Sequence, residues 1–298
     1  SMPQNAIFIE GSTSAVFLEC RIKSASDVNG LKKSLIKVIE MSSDQLQILV
    51  SFSKNAYKQF GLKGPEGLKD FVNLNGINKL KMPSTQSEIF IWGHSNSKSV
   101  IFDFTLHSKI LLSPFLSIEL EQEGFRYHDS RDITGIVDGS ANPKGDKRKL
   151  EVLIPSEQEH AYGSYVMMQK WTHDLDSFHS KKIEEQEKII GRTKDESIEL
   201  EGDAMPNNSH VSSVDSYVFE VALKIYRRSF PFANKEDNGL VFLAFSKSIQ
   251  RFDVQLESML GLSEDGISDR LMDFSIPETG AYYFAPSNDE LLKILTPD

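Results

Sequence analysis

The sequence predicts an α+β protein built from two ferredoxin-like βαββαβ units in tandem, and three observations lead there. The chain has 298 residues, more than one compact domain usually holds. Its apolar pattern runs strand, helix, strand, strand, helix, strand over the first 125 residues, and the same order recurs in the second half. Between the halves lies Ile133-Thr134-Gly135-Ile136-Val137-Asp138-Gly139-Ser140-Ala141-Asn142-Pro143, which packs two glycines, a carboxylate and a chain-breaking proline together. The expected division is therefore an N-terminal domain over 1–130 and a C-terminal domain over 131–298 that includes this stretch.

The elements follow in chain order. Ala15 to Ile22 is rich in strand formers, and the apolar residues at 31, 35, 38 and 39 fit one face of a helix. Leu46 to Phe52 reads as a second strand, followed by a short helical segment through Ala56–Phe60 that stops at Gly61. A loop rich in Gly, Lys and Pro leads to a third strand at Glu88–His94, a helix from Lys98 to Ile110 and a fourth strand at Leu116–Leu120. In the second half, Gly163–Trp171 is a strand, and Ile183–Arg192 is a charged helix closed by Gly191. Leu223–Arg227 is expected as a strand, Leu240–Ser246 as a fully buried one, Ile249–Leu260 as an amphipathic helix and Ala281–Ala285 as the last strand. The repeat is one of element order, since no sequence identity between the halves is visible. One connection is overlong: Thr193 to Tyr217 is a loop several times the usual ~4–6 residues, and such loops are functional or disordered.

Composition removes several classes of function. The 39% apolar and 26% charged fractions are those of an ordinary globular chain. A net charge of -10 disfavours nonspecific nucleic-acid binding, which depends on Lys and Arg neutralising phosphates. No window approaches 18 uninterrupted apolar residues, and Ser1 to Asn5 do not begin a secretory signal, Ser1-Met2 reading as a cloning remnant. With Cys20 as the single cysteine, no intrachain disulfide can form, which fits a reducing cytoplasm, and its apolar neighbours make it a packing residue. No glycine-rich phosphate loop is present, and His173 and His179 lack a zinc-site spacing. Ser164 and Cys20 have no visible base to activate them as nucleophiles.

Three groups remain as candidates for chemistry: the Asp138 loop, His210 in the overlong connection, and Arg227-Arg228 among Tyr226, Phe230 and Phe232. Each also has an ordinary explanation. Asp-Gly and Asn-Pro are common turn signals, a loop histidine is usually solvated, and arginines stack on surface aromatics.

Set together, these residues resemble the dye-decolorizing (DyP-type) peroxidases. The resemblance rests on Gly135-x-x-Asp138-Gly139, then Gly163-Ser164-Tyr165-Val166, His173-Asp174-Leu175, Ile190-Gly191-Arg192-Thr193-Lys194 and Arg227-Arg228-x-x-Pro231, in the family's order. It spans essentially the whole chain, and the short loops resemble the compact bacterial class B or P branch. The resemblance implies a dimeric α/β-barrel-like architecture and a cytoplasmic haem b (iron protoporphyrin IX) enzyme, with haem held mainly in the C-terminal domain. It implies a peroxidase that reduces hydrogen peroxide and oxidises aromatic or dye-like donors through a ferryl intermediate, as a homo-oligomer with no nucleic-acid or membrane partner.

By the same resemblance, His210 matches the iron ligand, Asp138 the distal acid and Arg227 the distal arginine. Gly139 and Ser140 belong to the haem-binding loop, and Asp273 is the expected hydrogen-bond partner of the ligating imidazole. These residue types suit the chemistry: a carboxylate on an imidazole's second nitrogen fixes its tautomer, an acid shuttles a proton, and a guanidinium stabilises developing charge. An unperturbed Asp base also favours turnover at acidic pH. The chain departs from the family at Ala141, where an acid is common, and at Ser229, where Asn or Gly is common. Trp92, Trp171, Tyr226, Tyr282 and Tyr283 are either core residues or electron relays. The alternative function is a haem-binding or haem-handling protein with incidental peroxidase activity, and a non-haem ligand-binding scaffold is a third.

Overall fold

The computed structural model describes residues 1–24, 27–215, 217–218 and 221–298. The overlong connection thus falls within the described residues except for Ser216. Each half folds into a four-stranded antiparallel arrangement with the strand order of a ferredoxin-like unit. In the first half, Leu116–Phe125 lies beside Ser14–Ile22, which pairs with Ile89–Ser95, which pairs with Gln47–Phe52. In the second half, Ala281–Ala285 lies beside Ser164–His173, which pairs with Asn238–Ser246; Tyr226–Arg227 and Phe230–Ala233 take the outer place. The halves join where Phe284 pairs with Phe52, so all these strands share one sheet.

Helices Val28–Ile39 and Lys98–Leu112 cover the first half, and Ile249–Met259 packs on the second. Ser53 and Ser97 cap their helices by accepting hydrogen bonds from the amides of Ala56 and Val100, as short polar side chains do at N-termini. Helix Ile183–Ile190 ends, as the sequence indicates, at Gly191, whose φ of +100° is the left-handed conformation that a Cβ disfavours.

Successive strand residues point to opposite faces of a sheet, and this alternation separates core from site. In Ser164–His173, Val166 and Met168 enter an apolar layer with Phe17, Phe90, Trp92, Leu243, Phe245 and Tyr283. Met167, Gln169, Trp171 and His173 instead line a cavity on the other face. Asn238–Ser246 divides likewise, with Val241 and Leu243 in the layer and Leu240 and Phe242 on the cavity. The expectation that this strand is buried throughout is therefore corrected: Leu240 and Phe242 are only half-buried.

The strand expected over 223–227 is also shorter, reaching only Tyr226–Arg227. Upstream, the carbonyls of Leu223 and Lys224 accept from Gln255 and Arg251 of the neighbouring helix instead of from a strand. Cys20 is buried, and burial pushes its thiol up to about 12, in keeping with a packing role.

Candidate active site

The Asp138 loop is held by its own arginine. Arg131 donates to the carbonyls of Gly135, Lys194 and Asp195, tying the loop to the start of the overlong connection. Gly135 has φ +91°, a left-handed conformation that favours glycine, and a Cβ there would also crowd the flexible end of the Lys194 side chain at 2.8 Å. Ser140 Oγ lies 2.6 Å from Ser197 Oγ, a second tie to the same segment.

A third tie reaches the arginine strand. Asn142 Nδ2 donates to the Arg227 carbonyl at 2.8 Å, and the Arg227 amide donates back to Asn142 Oδ1 at 2.9 Å. This reciprocal clip fixes the backbone of Arg227 against the loop that carries Asp138. Their side chains stand as a loose ion pair, Arg227 Nη1 to Asp138 Oδ1 at 3.8 Å, and both line the cavity. Burial raises the Asp138 carboxyl above its ordinary range; the Arg227 charge opposes the rise, and the Asp132 charge adds to it.

Asp132 is itself paired. Its Oδ1 lies 3.0 Å from His173 Nε2, and Ser275 Oγ lies 2.6 Å from His173 Nδ1. Burial pushes the Asp132 carboxyl up, but His173 and the hydrogen bonds from His173 and Thr134 outweigh it and hold the group low. Asp132, Thr134, His173 and Ser275 all line the cavity, a cluster to which sequence reading assigned no role.

His210 opens the five-residue helix His210–Val214, capped by Ser209 through the Ser212 amide. Its Nδ1 lies 2.6 Å from Asp269 Oδ2, and the Asp269 side chain is 0% exposed. Asp269 Oδ1 in turn accepts from the Leu271 amide at 2.9 Å, so the carboxylate is fixed through both oxygens. Nε2 has no hydrogen-bond partner among the described residues, and His210 is a wall residue of the cavity.

The expectation for Asp273 is corrected here. Asp269 caps the 3-10 turn Arg270–Asp273 and faces inward, whereas Asp273 ends that turn and is exposed. The residue on the imidazole is Asp269.

The cavity has a volume of about 330 Å³. Besides the polar residues named, its walls carry Ile136, Val137, Met167, Leu240, Phe242 and Met259, surfaces suited to a flat apolar ring system. Among the described residues no cluster of three or more His, Cys, Asp or Glu side chains stands ready to hold a bare metal ion. A single free imidazole nitrogen in an apolar cavity instead fits an iron whose other ligands come with a macrocycle. Gly139 and Ser140 line the same space. Of the five aromatic residues singled out from the sequence, all are buried and only Trp171 reaches the cavity, its Nε1 donating to Gln169.

Comparison with known proteins matches residues 4–126 to the family model "Dyp-type peroxidase, N-terminal" and residues 129–290 to "Dyp-type peroxidase, C-terminal". The dye-decolorizing peroxidase of Mycobacterium tuberculosis is 34% identical over 83% of this chain and 75% of its own length. That of Rhodococcus erythropolis is 31% identical over 89% and 79%. Among solved structures, a dye-decolorizing protein from V. cholerae superposes with a TM-score of 0.89 at 35% identity, covering 97% of this chain and 99% of its own. A variant of DypB from Rhodococcus jostii, solved in complex with heme, gives 0.91 at 29% identity over 98% of each chain.

Proposed function

The chain belongs to the Dyp-type peroxidase family and is a haem-dependent peroxidase, and from that premise we propose a division of labour between its two charged pairs. His210 is the iron ligand through Nε2, and Asp269 orients the ring and strengthens it as a donor. Bound haem supplies the redox chemistry that reduces hydrogen peroxide.

Asp138 is the proton carrier. Its ionised carboxylate takes a proton from one peroxide oxygen, and the resulting acid returns it to the oxygen that departs as water. Arg227 offsets negative charge on the departing oxygen, and its charge opposes the rise that burial imposes on the Asp138 carboxyl. Asn142 and Arg131 are positioning residues: the first holds the Arg227 backbone and the second the loop of Asp138. Gly139 and Ser140 would pack along the cofactor. Aromatic or dye-like compounds are the reducing substrates in this reading.

The observation that carries the proposal is the free Nε2 of His210 in an apolar cavity that Asp138 and Arg227 also line. The division of the chain at residue 130, a homo-oligomeric state and a cytoplasmic location belong to the same proposal. The boundary is supported by the separate matches to 4–126 and 129–290. On location, no helix among the described residues is long and apolar enough to cross a membrane. Reconstitution with haemin tests the core of it. The protein is expected to give a Soret band that His210→Ala shifts and weakens, and an unchanged spectrum in that variant would remove His210 as ligand.

A further inference from the structure

A second concave space meets the cavity at Asp138, Gly139 and Arg227. It is a cleft of about 640 Å³, within the ~300–1,000 Å³ usual for small-molecule sites. Its lining includes the cations Arg126, Arg131, Lys144, Arg148, Arg227 and Arg228, in a chain whose formal charge is -10. Against them stand two carboxylates, Glu10 and Asp138, and both are engaged. Glu10 accepts from the Tyr226 hydroxyl and pairs with Arg148 at 2.9 Å, while Asp138 faces Arg227.

Four of the cations are built into the walls. Arg228 is buried and donates to the carbonyls of Ala6, Ile7 and Ile9, and Arg148 donates to Phe8 and Gly145. Arg131 donates to carbonyls of its loop and pairs with Asp129 at 2.8 Å, and the Arg227 guanidinium faces Asp138 while its backbone is clipped by Asn142. Asp129, Glu10 and Asp138 offset three of the six cations, while the bonds of Arg228 to neutral carbonyls leave its charge in place, so with Arg126 and Lys144 the cleft keeps a positive excess that low-dielectric walls focus. Arg126 and Lys144 are exposed and have no ion pair among the described residues. Tyr127 adds an aromatic ring to the same lining.

Hydrogen peroxide is neutral and gains no charge–charge attraction from such a surface, and a metal dication is repelled by it. An anion is what the cleft favours. We propose that it is the docking site of a small aromatic donor carrying a carboxylate or sulfonate, with the acid group held between Arg126 and Lys144 and the ring directed toward Arg227. This deepens the peroxidase reading and rests on it for the word donor. The carboxylates of haem share the same chemistry, so the experiment must separate an incoming anion from the cofactor's own acid groups.

The test uses haem-loaded protein without peroxide, titrated calorimetrically with 4-hydroxybenzoate and with its uncharged analogue 4-hydroxybenzamide. The benzoate is expected to bind saturably and the amide about tenfold more weakly or not at all. Raising the salt from low ionic strength is expected to weaken the benzoate alone. Arg126→Glu with Lys144→Glu is expected to weaken benzoate about tenfold, the modest loss that exposed charges give. In turnover, KM for benzoate should rise by the same factor while kcat and the peroxide-driven change of the Soret band stay unchanged. Equal binding of the two probes, or unchanged binding in the double variant, would overturn the site. So would benzoate binding seen only in haem-free protein, which would assign the cations to the cofactor's carboxylates. Charge-dependent binding in a loaded protein that ignores peroxide would keep the site and sink the peroxidase reading.

Discussion

On the His210 side of the cavity, imidazole and carboxylate lie 2.6 Å apart, and Asp269 is sealed from solvent with each oxygen assigned a partner. Between Asp138 and Arg227 the gap is 3.8 Å, and the two side chains keep 24% and 18% of their surface exposed. The first arrangement suits a group that must not move or change charge; the second leaves room for a small molecule and for a carboxyl that gains and loses a proton. Tightness thus separates holding from reacting. The two pairs are also built differently, the first between a helix start and the residue that caps a 3-10 turn 59 residues away, the second by the Asn142 clip across 85 residues of sequence.

Breaking the looser pair is expected to have the largest effect on turnover. Asp138→Asn keeps the shape and removes the proposed proton carrier, so the second-order rate of the peroxide-driven Soret change should fall by about 10²–10⁴ in stopped flow. A loss under threefold would remove Asp138 from proton transfer. The tighter pair is expected to cost less: Asp269→Asn should lower haem affinity or peroxide rate by about 10–100-fold and shift the iron–histidine stretch in resonance Raman spectra. Asp273→Asn serves as its control and should change neither, and equal effects of the two substitutions would undo the proximal assignment.

The smallest effect lies outside the site and asks whether buried carboxyls without a cation behave as Asp138 does with one. Glu19 is buried, accepts from the Tyr283 hydroxyl at 2.7 Å, and is pushed up to about 8 by burial. Folded protein therefore keeps a proton that the unfolded chain releases near 4.5. Its contribution to stability is full below that value and is lost as pH rises through 8. Glu19→Gln should melt progressively higher than the parent between pH 5 and pH 8.5, and a pH-independent difference in Tm would contradict the buried, protonated state.

Much of this was legible in the sequence. Strand alternation and the order of elements gave both ferredoxin-like halves, because period 2 and period 3.6 survive in single sequences. The resemblance carried by the motifs from Gly135 to Pro231 and their order led to Asp138, His210 and Arg227, which the fold brings to one cavity. The partner of His210 was not legible. Asp265, Asp269 and Asp273 recur at equal spacing through a segment with no apolar periodicity, and only the turn that Asp269 caps decides which one faces inward. Asn142 looked like half of an Asn-Pro turn signal, and its hold on Arg227 is a tertiary contact with no local trace. The positive cleft was hidden for the same reason, since its cations are scattered from Arg126 to Arg228 in an acidic chain.

The pH profile of the peroxide step tests the central claim most directly, compared among the parent protein, Arg227→Leu and Asp138→Asn. If ionised Asp138 takes the proton, the parent's rate falls on the acid side at a pH above the ordinary 3.8 of an aspartate, because burial outweighs Arg227. Removing the Arg227 charge moves that acid limb to still higher pH, and Asp138→Asn abolishes it. An acid limb at the same pH in all three proteins would contradict the account.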